Sequence, residues 1–485
     1  MLSGVMACLT LAACNETACF APLLARLVIP HNLGIEQLES RGPCCLSSSA
    51  WNKVHRSPNI VNRSARKMKQ SIPLFSSLLL GLVAAQTPSE TTEEVHPKID
   101  TWKCTTADGC VQQKSSIVLD SASHPVHQKD NPEYNCGVWG EAANSTVCPD
   151  EATCAQNCIV EGVSDYSAYG VSTEGASLHL SMLKPDGSTL SPRVYLLAEN
   201  EEEYEMLQLT GQEIAFDVDV SKLPCGMNGA FYLSEMEKDG AKSELSPGGA
   251  AYGMGYCDAQ CYTTPFINGI GNIAGKGACC NEMDIWEANR EATHLAPHPC
   301  NVTGIYQCEG DECGDAGVCD KSGCGYNPYR VGNHEYYGEG MTVDTSRPFT
   351  VVTQFQAEND KVKSMHRLYI QDGKVIQNGA VQLPDVPAVD YLNDEFCTAM
   401  GGTEQYFNLG GTEGMGESLS RGMVLAMSIW WDEGGFMQWL DGGEAGPCDA
   451  TEGDPKNIVI VEPQPALTFS NMKWGDIDST YSLSE

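Results

Sequence analysis

Eighteen of the chain's 23 cysteines follow Gln86, and the other five (Cys8, Cys14, Cys19, Cys44, Cys45) precede Met68. An even, dense set of this kind marks an oxidising compartment and a loop-rich fold held by up to nine bridges, although spacing does not give the pairing. Close pairs such as Cys154 and Cys158, or Cys257 and Cys261, lack histidine partners of zinc-finger type, so no metal site is expected. Cys279 and Cys280 are adjacent. Their side chains must diverge, so each is expected to tie the backbone to a different neighbour and to anchor doubly whatever follows.

The apolar run Ser71 to Ala85 follows Lys67-Met68-Lys69 and ends Val83-Ala84-Ala85. Charged start, short apolar stretch and small-residue end describe a secretory signal, and the run is too short to span a bilayer. A signal belongs at a true start. Residues 1–67 are therefore expected to be an upstream extension, 68–85 the signal, and 86–485 one domain of a secreted, extracellular chain. The alternative is a genuine extension, since "LTLAAC" (Leu9 to Cys14) loosely resembles a lipoprotein signal. The whole chain carries 29 basic and 64 acidic residues. Eight of the former and three of the latter lie before Gln86, so the rest stands at −40. That charge excludes nucleic acid and anionic membrane as partners and leaves a neutral substrate. Sequons at Asn144 and Asn301 would mark surface loops if glycosylated.

From Gln86 onward no repeat or low-complexity stretch interrupts the chain, and strand-like runs dominate: Glu213 to Val220, Gly229 to Met236, Phe349 to Gln356, Gly422 to Trp431 and Ala466 to Trp474. In "HRLYIQDGKVIQ" the Asp372-Gly373 pair signals a tight hairpin, because that turn needs positive φ. Long helical periodicity is scarce. Many short strands with glycine-rich connections predict an all-β fold of two large antiparallel sheets packed face to face, with long loops. A propeller would need a blade-length repeat, which is missing.

The segment "CCNEMDIWEAN" (Cys279 to Asn289) places Glu282, Asp284 and Glu287 within six positions. In a regular strand Glu282 and Asp284 share a face and Glu287 opposes them; a helix also separates the outer two. A β-bulge at Ile285 or Trp286 would bring all three together. Two glutamates leaning together can approach the ~5 to 5.5 Å of retaining glycoside hydrolases. Asp284 is then expected to hydrogen-bond Glu282 and keep it ionised, while Glu287, crowded by like charge, serves as proton donor. The competing reading is a capping-box start for a short helix "EANREATHL", with Glu282 merely solvated.

With "APHPC" behind it, this segment closely resembles the signature of the glycoside hydrolase family 7 cellulases of fungi. The resemblance extends through "VHPKIDTWKC", "CPDEATCAQNCIVEGV", "LPCGMNGAFYLSEM", "GYCDAQC" and "LTFSNMKWGDIDSTY", covering essentially Gln86 to Tyr481. It implies a concanavalin-like β-jelly-roll sandwich with a long substrate cleft and no cofactor. It further implies that Glu282 is the nucleophile, Asp284 its helper and Glu287 the acid/base, with His298 beside them donating to a reacting oxygen or to Asp284. Asn228, Tyr232, Asp258 and Gln260 match cleft residues that hydrogen-bond glucose hydroxyls, and Arg330 a product-side contact. Trp430 and Trp439 match platforms for sugar rings, whose apolar faces suit indoles; Trp431 is then the inward, packed neighbour.

Within that family, long loops roof the cleft of cellobiohydrolases and are trimmed in endoglucanases. Here only 17 residues separate Cys261 from Cys279, Trp439 reaches Cys448 quickly, and Ser123 and Pro125 stand where tunnel enzymes keep tryptophans. The expectation is an open-cleft, monomeric endo-β-1,4-glucanase without a carbohydrate-binding module, acting on cellulose by retaining double displacement, with mixed-linkage glucan or xylan as further substrates the groove would admit. A cellobiohydrolase, a non-catalytic glucan-binding sandwich and a disulfide-rich wall protein are the alternatives.

Overall fold

A computed structural model describes residues 86–481; the expected upstream extension and signal lie outside the described residues. Twelve strands carry the architecture: β1 (Lys98–Thr105), β2 (Gly109–Leu119), β3 (Arg193–Leu197), β4 (Gln212–Asp219), β5 (Met227–Ser234), β6 (Glu282–Ala288), β7 (Thr293–His298), β8 (Phe349–Glu358), β9 (Lys361–Gln371), β10 (Lys374–Gln377), β11 (Met423–Trp431) and β12 (Ala466–Asp476). All five runs read as strands lie here, within about two residues of their expected bounds. Asp372 and Gly373 turn β9 into β10 with φ of +54° and +71°, the positive values that a two-residue hairpin requires.

Hydrogen bonding orders the strands β7-β6-β5-β11-β3-β2-β1-β12-β4-β8-β9-β10. This continuous ribbon folds over on itself, and its two halves pack face to face. Phe231 of β5 stacks on Phe216 of β4 with ring centroids 4.0 Å apart, although the two strands are not hydrogen-bonded neighbours, and Trp286 and Phe469 complete that aromatic cluster. The core between the layers is therefore built from alternate residues of both, as a jelly-roll sandwich demands.

Among these twelve strands one pairing departs from the antiparallel expectation. β1 and β12 run parallel, with Trp102 opposite Lys473. Their great separation along the chain frees them from hairpin geometry, and their pairing joins one layer to the other. Helices are short; the longest among the described residues is Gly411–Arg421.

The eighteen cysteines among the described residues form nine bridges. Cys280 pairs with Cys257 and Cys279 with Cys261, so the adjacent pair does reach two neighbours, both on the loop that enters the cleft wall.

Candidate active site

Along β6, Met283, Ile285, Trp286 and Ala288 all pack into the inter-sheet core, while Glu282, Asp284 and Glu287 line the cleft on the opposite face. Two consecutive inward residues, Ile285 and Trp286, break the alternation. Against β5 the register steps from Phe231 opposite Trp286 to Leu233 opposite Met283, and against β7 from Asp284 opposite Ala296 to Glu287 opposite His294. On both sides β6 spends one residue more than its partner. That is a bulge at the position the acid spacing required.

A bulge leaves backbone groups unpaired, and here the carbonyl of Ile285 accepts a hydrogen bond from Arg367 Nη2, which reaches it from β9 in the opposing layer. Arg367 is buried, and its Nε donates to Thr353 Oγ1 at 3.0 Å. The two asparagines of the motif hold its ends. Asn281 Oδ1 accepts the Cys300 N–H at 2.6 Å; Asn289 Oδ1 accepts the N–H groups of Glu291 and Ala292 at 2.8 and 3.1 Å. The latter pair closes a turn into β7, so the short-helix reading of "EANREATHL" fails: the chain needs its backbone donors for the strand pair.

The double disulfide presses the 257–261 loop onto the head of β6, where the Ala259 N–H donates to Glu282 Oε2 at 3.0 Å. Asp258 beside it accepts the Cys261 N–H at 3.0 Å. Burial pushes the Glu282 carboxyl well above its ordinary value, with the charges of Asp284 and Asp258 adding to the effect. Burial likewise raises Asp284, together with the charge of Glu287, to about 6 in spite of His298.

Asp284 Oδ2 pairs with His298 Nε2 at 3.0 Å, the contact to Asp284 expected of that imidazole. His298 Nδ1 faces the Asp320 carbonyl at 2.9 Å. Burial alone would lower this histidine, but the bond to Asp284 and the charges of Asp284 and Glu282 outweigh it and bring it to about 10. With oxygen acceptors at both ring nitrogens, His298 is a charged brace for Asp284.

The remaining expected residues divide. Tyr232, Asp258, Gln260, Trp430 and Trp439 line the cleft, a cavity of about 900 Å³. Trp430 and Trp439 lie with ring centroids 6.5 Å apart and planes inclined by 28°, and Trp431 turns inward against the core. Asn228 is fully buried, and its Nδ2 donates to Glu287 Oε1 at 2.9 Å; it orients the acid rather than a glucose hydroxyl. Arg330 is exposed and stands outside the cleft lining, its backbone N–H closing a turn on Asn327 Oδ1 at 3.2 Å.

Three features escaped sequence reasoning. His294 lies 3.6 Å from Glu287 Oε2 and edge-on to Trp439. Gly323 and Gly325 clear space for the histidines: a β-carbon on Gly323 would fall 2.6 Å from His298 Cε1, and one on Gly325 1.9 Å from His294 Nε2. Arg367 is the third. "SGCGYN" shows two glycines around a cysteine but nothing that says which rings pass over them.

The sequence profile described as Glycosyl hydrolase family 7 matches residues 88–481. Endoglucanase EG-1 of Humicola insolens is 58% identical over 411 residues, which is 84% of this chain and 94% of that protein. The native structure of the Humicola insolens endocellulase EGI aligns with a TM-score of 0.80 at 58% identity, covering 81% of this chain and 100% of that one. A GH7 family cellobiohydrolase from Daphnia pulex gives a TM-score of 0.76 at 35% identity, with the same coverage of 81% and 100%.

Proposed function

The chain belongs to glycosyl hydrolase family 7 and is an endo-β-1,4-glucanase, and on that premise we propose that Glu282 is its nucleophile and Glu287 its acid/base. Glu282 attacks the anomeric carbon of the sugar on one side of the scissile bond. Glu287 gives its proton to the departing glycosidic oxygen, so a glycosyl ester forms on Glu282 as the leaving chain departs. Glu287 then takes a proton from water, the resulting hydroxyl displaces Glu282, and configuration is retained. Asp284 and His298 act through Glu282, as positioning residues: the charged imidazole fixes Asp284, and Asp284 borders the nucleophile. The Ala259 N–H favours the ionised form of Glu282 that attack needs.

The observation that carries this reading is the bulge, which supports a shared role for three acids that a regular strand would separate. Internal cleavage accords with the short connections and with Ser123 in the cleft wall. Identity points the same way, at 58% to endoglucanases against 35% to the cellobiohydrolase. Mixed-linkage glucan and xylan are further substrates such a groove would admit. Nine disulfides and an acidic surface support secretion of a monomer. Of the two sequons, Asn301 is exposed, whereas the Asn144 amide is engaged with the Asn135 carbonyl at 3.0 Å; Asn301 is the better glycan acceptor.

Viscometry of a soluble cellulose derivative, run with a reducing-sugar assay, tests the reading. Viscosity should collapse early relative to sugar released, and Glu282→Gln should abolish turnover while melting temperature and oligosaccharide binding persist. Substantial residual turnover would remove Glu282 from the nucleophile role.

A further inference from the structure

Past Tyr232 and Tyr256 the cleft continues to a group that the chemistry above does not use. Trp139 is 42% exposed and Tyr262 is 53% exposed, with ring centroids 6.3 Å apart, and both line the cleft. Isolated exposed aromatics are ordinary. Two adjoining ones on a cleft wall, carried by an immobilised backbone, make a platform.

The backbone of Trp139 is held from several sides. Cys136 is bridged to Cys158 and Cys148 to Cys154, and the Gly140 N–H donates to the Thr263 carbonyl at 3.2 Å. Gly137 packs so closely on Pro265 that a β-carbon would fall 2.2 Å from it. Behind the indole lies the guanidinium of Arg193, 4.7 Å from the Trp139 ring and 3.4 Å from that of Tyr256. That cation is already paired with Asp120 at 2.8 Å, so it braces the rings without soliciting an anion. The exposed part of the indole is left for an apolar, uncharged surface.

The neighbours of each aromatic give its place along the groove. Trp139 adjoins Tyr256, whose hydroxyl lies 3.1 Å from that of Tyr232 on the Glu282 side. Trp439 adjoins His294 on the Glu287 side. Since Glu287 serves the leaving oxygen, Trp439 belongs to the leaving-group arm and Trp139 to the opposite, glycone arm.

We propose that Trp139, with Tyr262, forms a distal binding site for a glucosyl unit on the glycone arm, stacking the apolar face of a sugar remote from the scissile bond so that turnover depends on chain length. This rests on the endoglucanase reading of the same cleft. Trp139→Ala should lower kcat/KM on cellohexaose about tenfold, the scale of one aromatic stacking contact, and leave kcat/KM on an aryl β-cellobioside, too short to reach, within about twofold. Trp139→Phe should recover most of the loss. Tyr262→Ala, on the other flank, should show the same length-dependent pattern even where Trp139→Ala lowers the melting temperature. Equal losses on both substrates, or no loss on either, would overturn the proposal while leaving the enzyme's class intact. A parent protein inactive on every β-1,4-glucan would instead sink the class, and this inference with it.

Discussion

The brace on Asp284 can be loosened without touching an acid or a histidine. Gly323 has φ of +66°, and a β-carbon there would lie 2.6 Å from Cε1, 2.8 Å from Nε2 and 3.0 Å from Nδ1 of His298. Ordinary contact lies near 3.6 Å, so the ring must recede by about 1 Å. The backbone cannot yield in its place, because Cys324 next door is bridged to Cys397. A retreat of that size stretches the 3.0 Å bond to Asp284 beyond hydrogen-bonding reach. Losing a charge-assisted bond costs about 1.5–3 kcal/mol, and left-handed backbone at alanine about another 1 kcal/mol. For a domain of this size the total of roughly 2.5–4 kcal/mol lowers the melting temperature by about 4 °C. A ~1 Å misplacement beside the reacting centre should reduce kcat on the order of 10²-fold. Gly340 is the control: its φ is +69° and no atom lies within 4 Å of the added carbon, so Gly340→Ala should show the backbone cost alone, about 1 °C, with kcat unchanged. Calorimetry and initial rates on a soluble cellulose derivative read both. If Gly323→Ala matches Gly340→Ala in melting temperature and kcat, the imidazole does not depend on that clearance and the reasoning fails.

Glu287→Gln should cost about 10²–10⁴-fold on cellulose derivatives but far less on an aryl cellobioside whose leaving group departs without a proton; equal losses on both would contradict its role as acid. Stability should decline with rising pH in two stages. Asp284 and Asp441, raised by burial to about 6, hold protons more tightly folded than unfolded, so ionisation between about pH 4 and 6 opposes folding. His298, at about 10, contributes stability that is complete below about pH 6.5 and is lost as pH rises through 10. Melting temperatures measured from pH 4 to 10 should therefore fall, and a maximum at alkaline pH would refute the assignment. Replacing both Cys225 and Cys448 with serine opens a bridge spanning 223 residues, worth about 5 kcal/mol of unfolded-state entropy at most; denaturant unfolding should register a loss of a few kcal/mol, and an unchanged midpoint would count against it.

What could be read beforehand followed from local pattern. Alternation along Phe349 to Gln356 or Ala466 to Trp474 reports a half-buried strand directly, and Asp372-Gly373 names its own turn. The acid spacing was informative because regular geometry forbade the arrangement that shared chemistry needed, which left a bulge as the remedy. What stayed hidden depends on partners distant in sequence. In sequence a polar strand residue near a cleft looks the same whether its amide faces substrate or, as Asn228 does, an acid on the next strand. The parallel seam of β1 with β12, the pairing of the cysteines, and the rings above Gly323 and Gly325 all join segments that carry no mutual mark in the sequence.

Arg367 sends its guanidinium through the sandwich to the Ile285 carbonyl at the back of β6. The far layer thereby braces the bulge: a small sliding of β9 would be felt where β6 turns Glu287 toward the cleft. Attempts to harden this enzyme by redesigning the hydrophobic filling around Thr353, Arg367 and Tyr369 should accordingly be screened by turnover as well as by heat, for a better-filled interior could arrive with a dead groove.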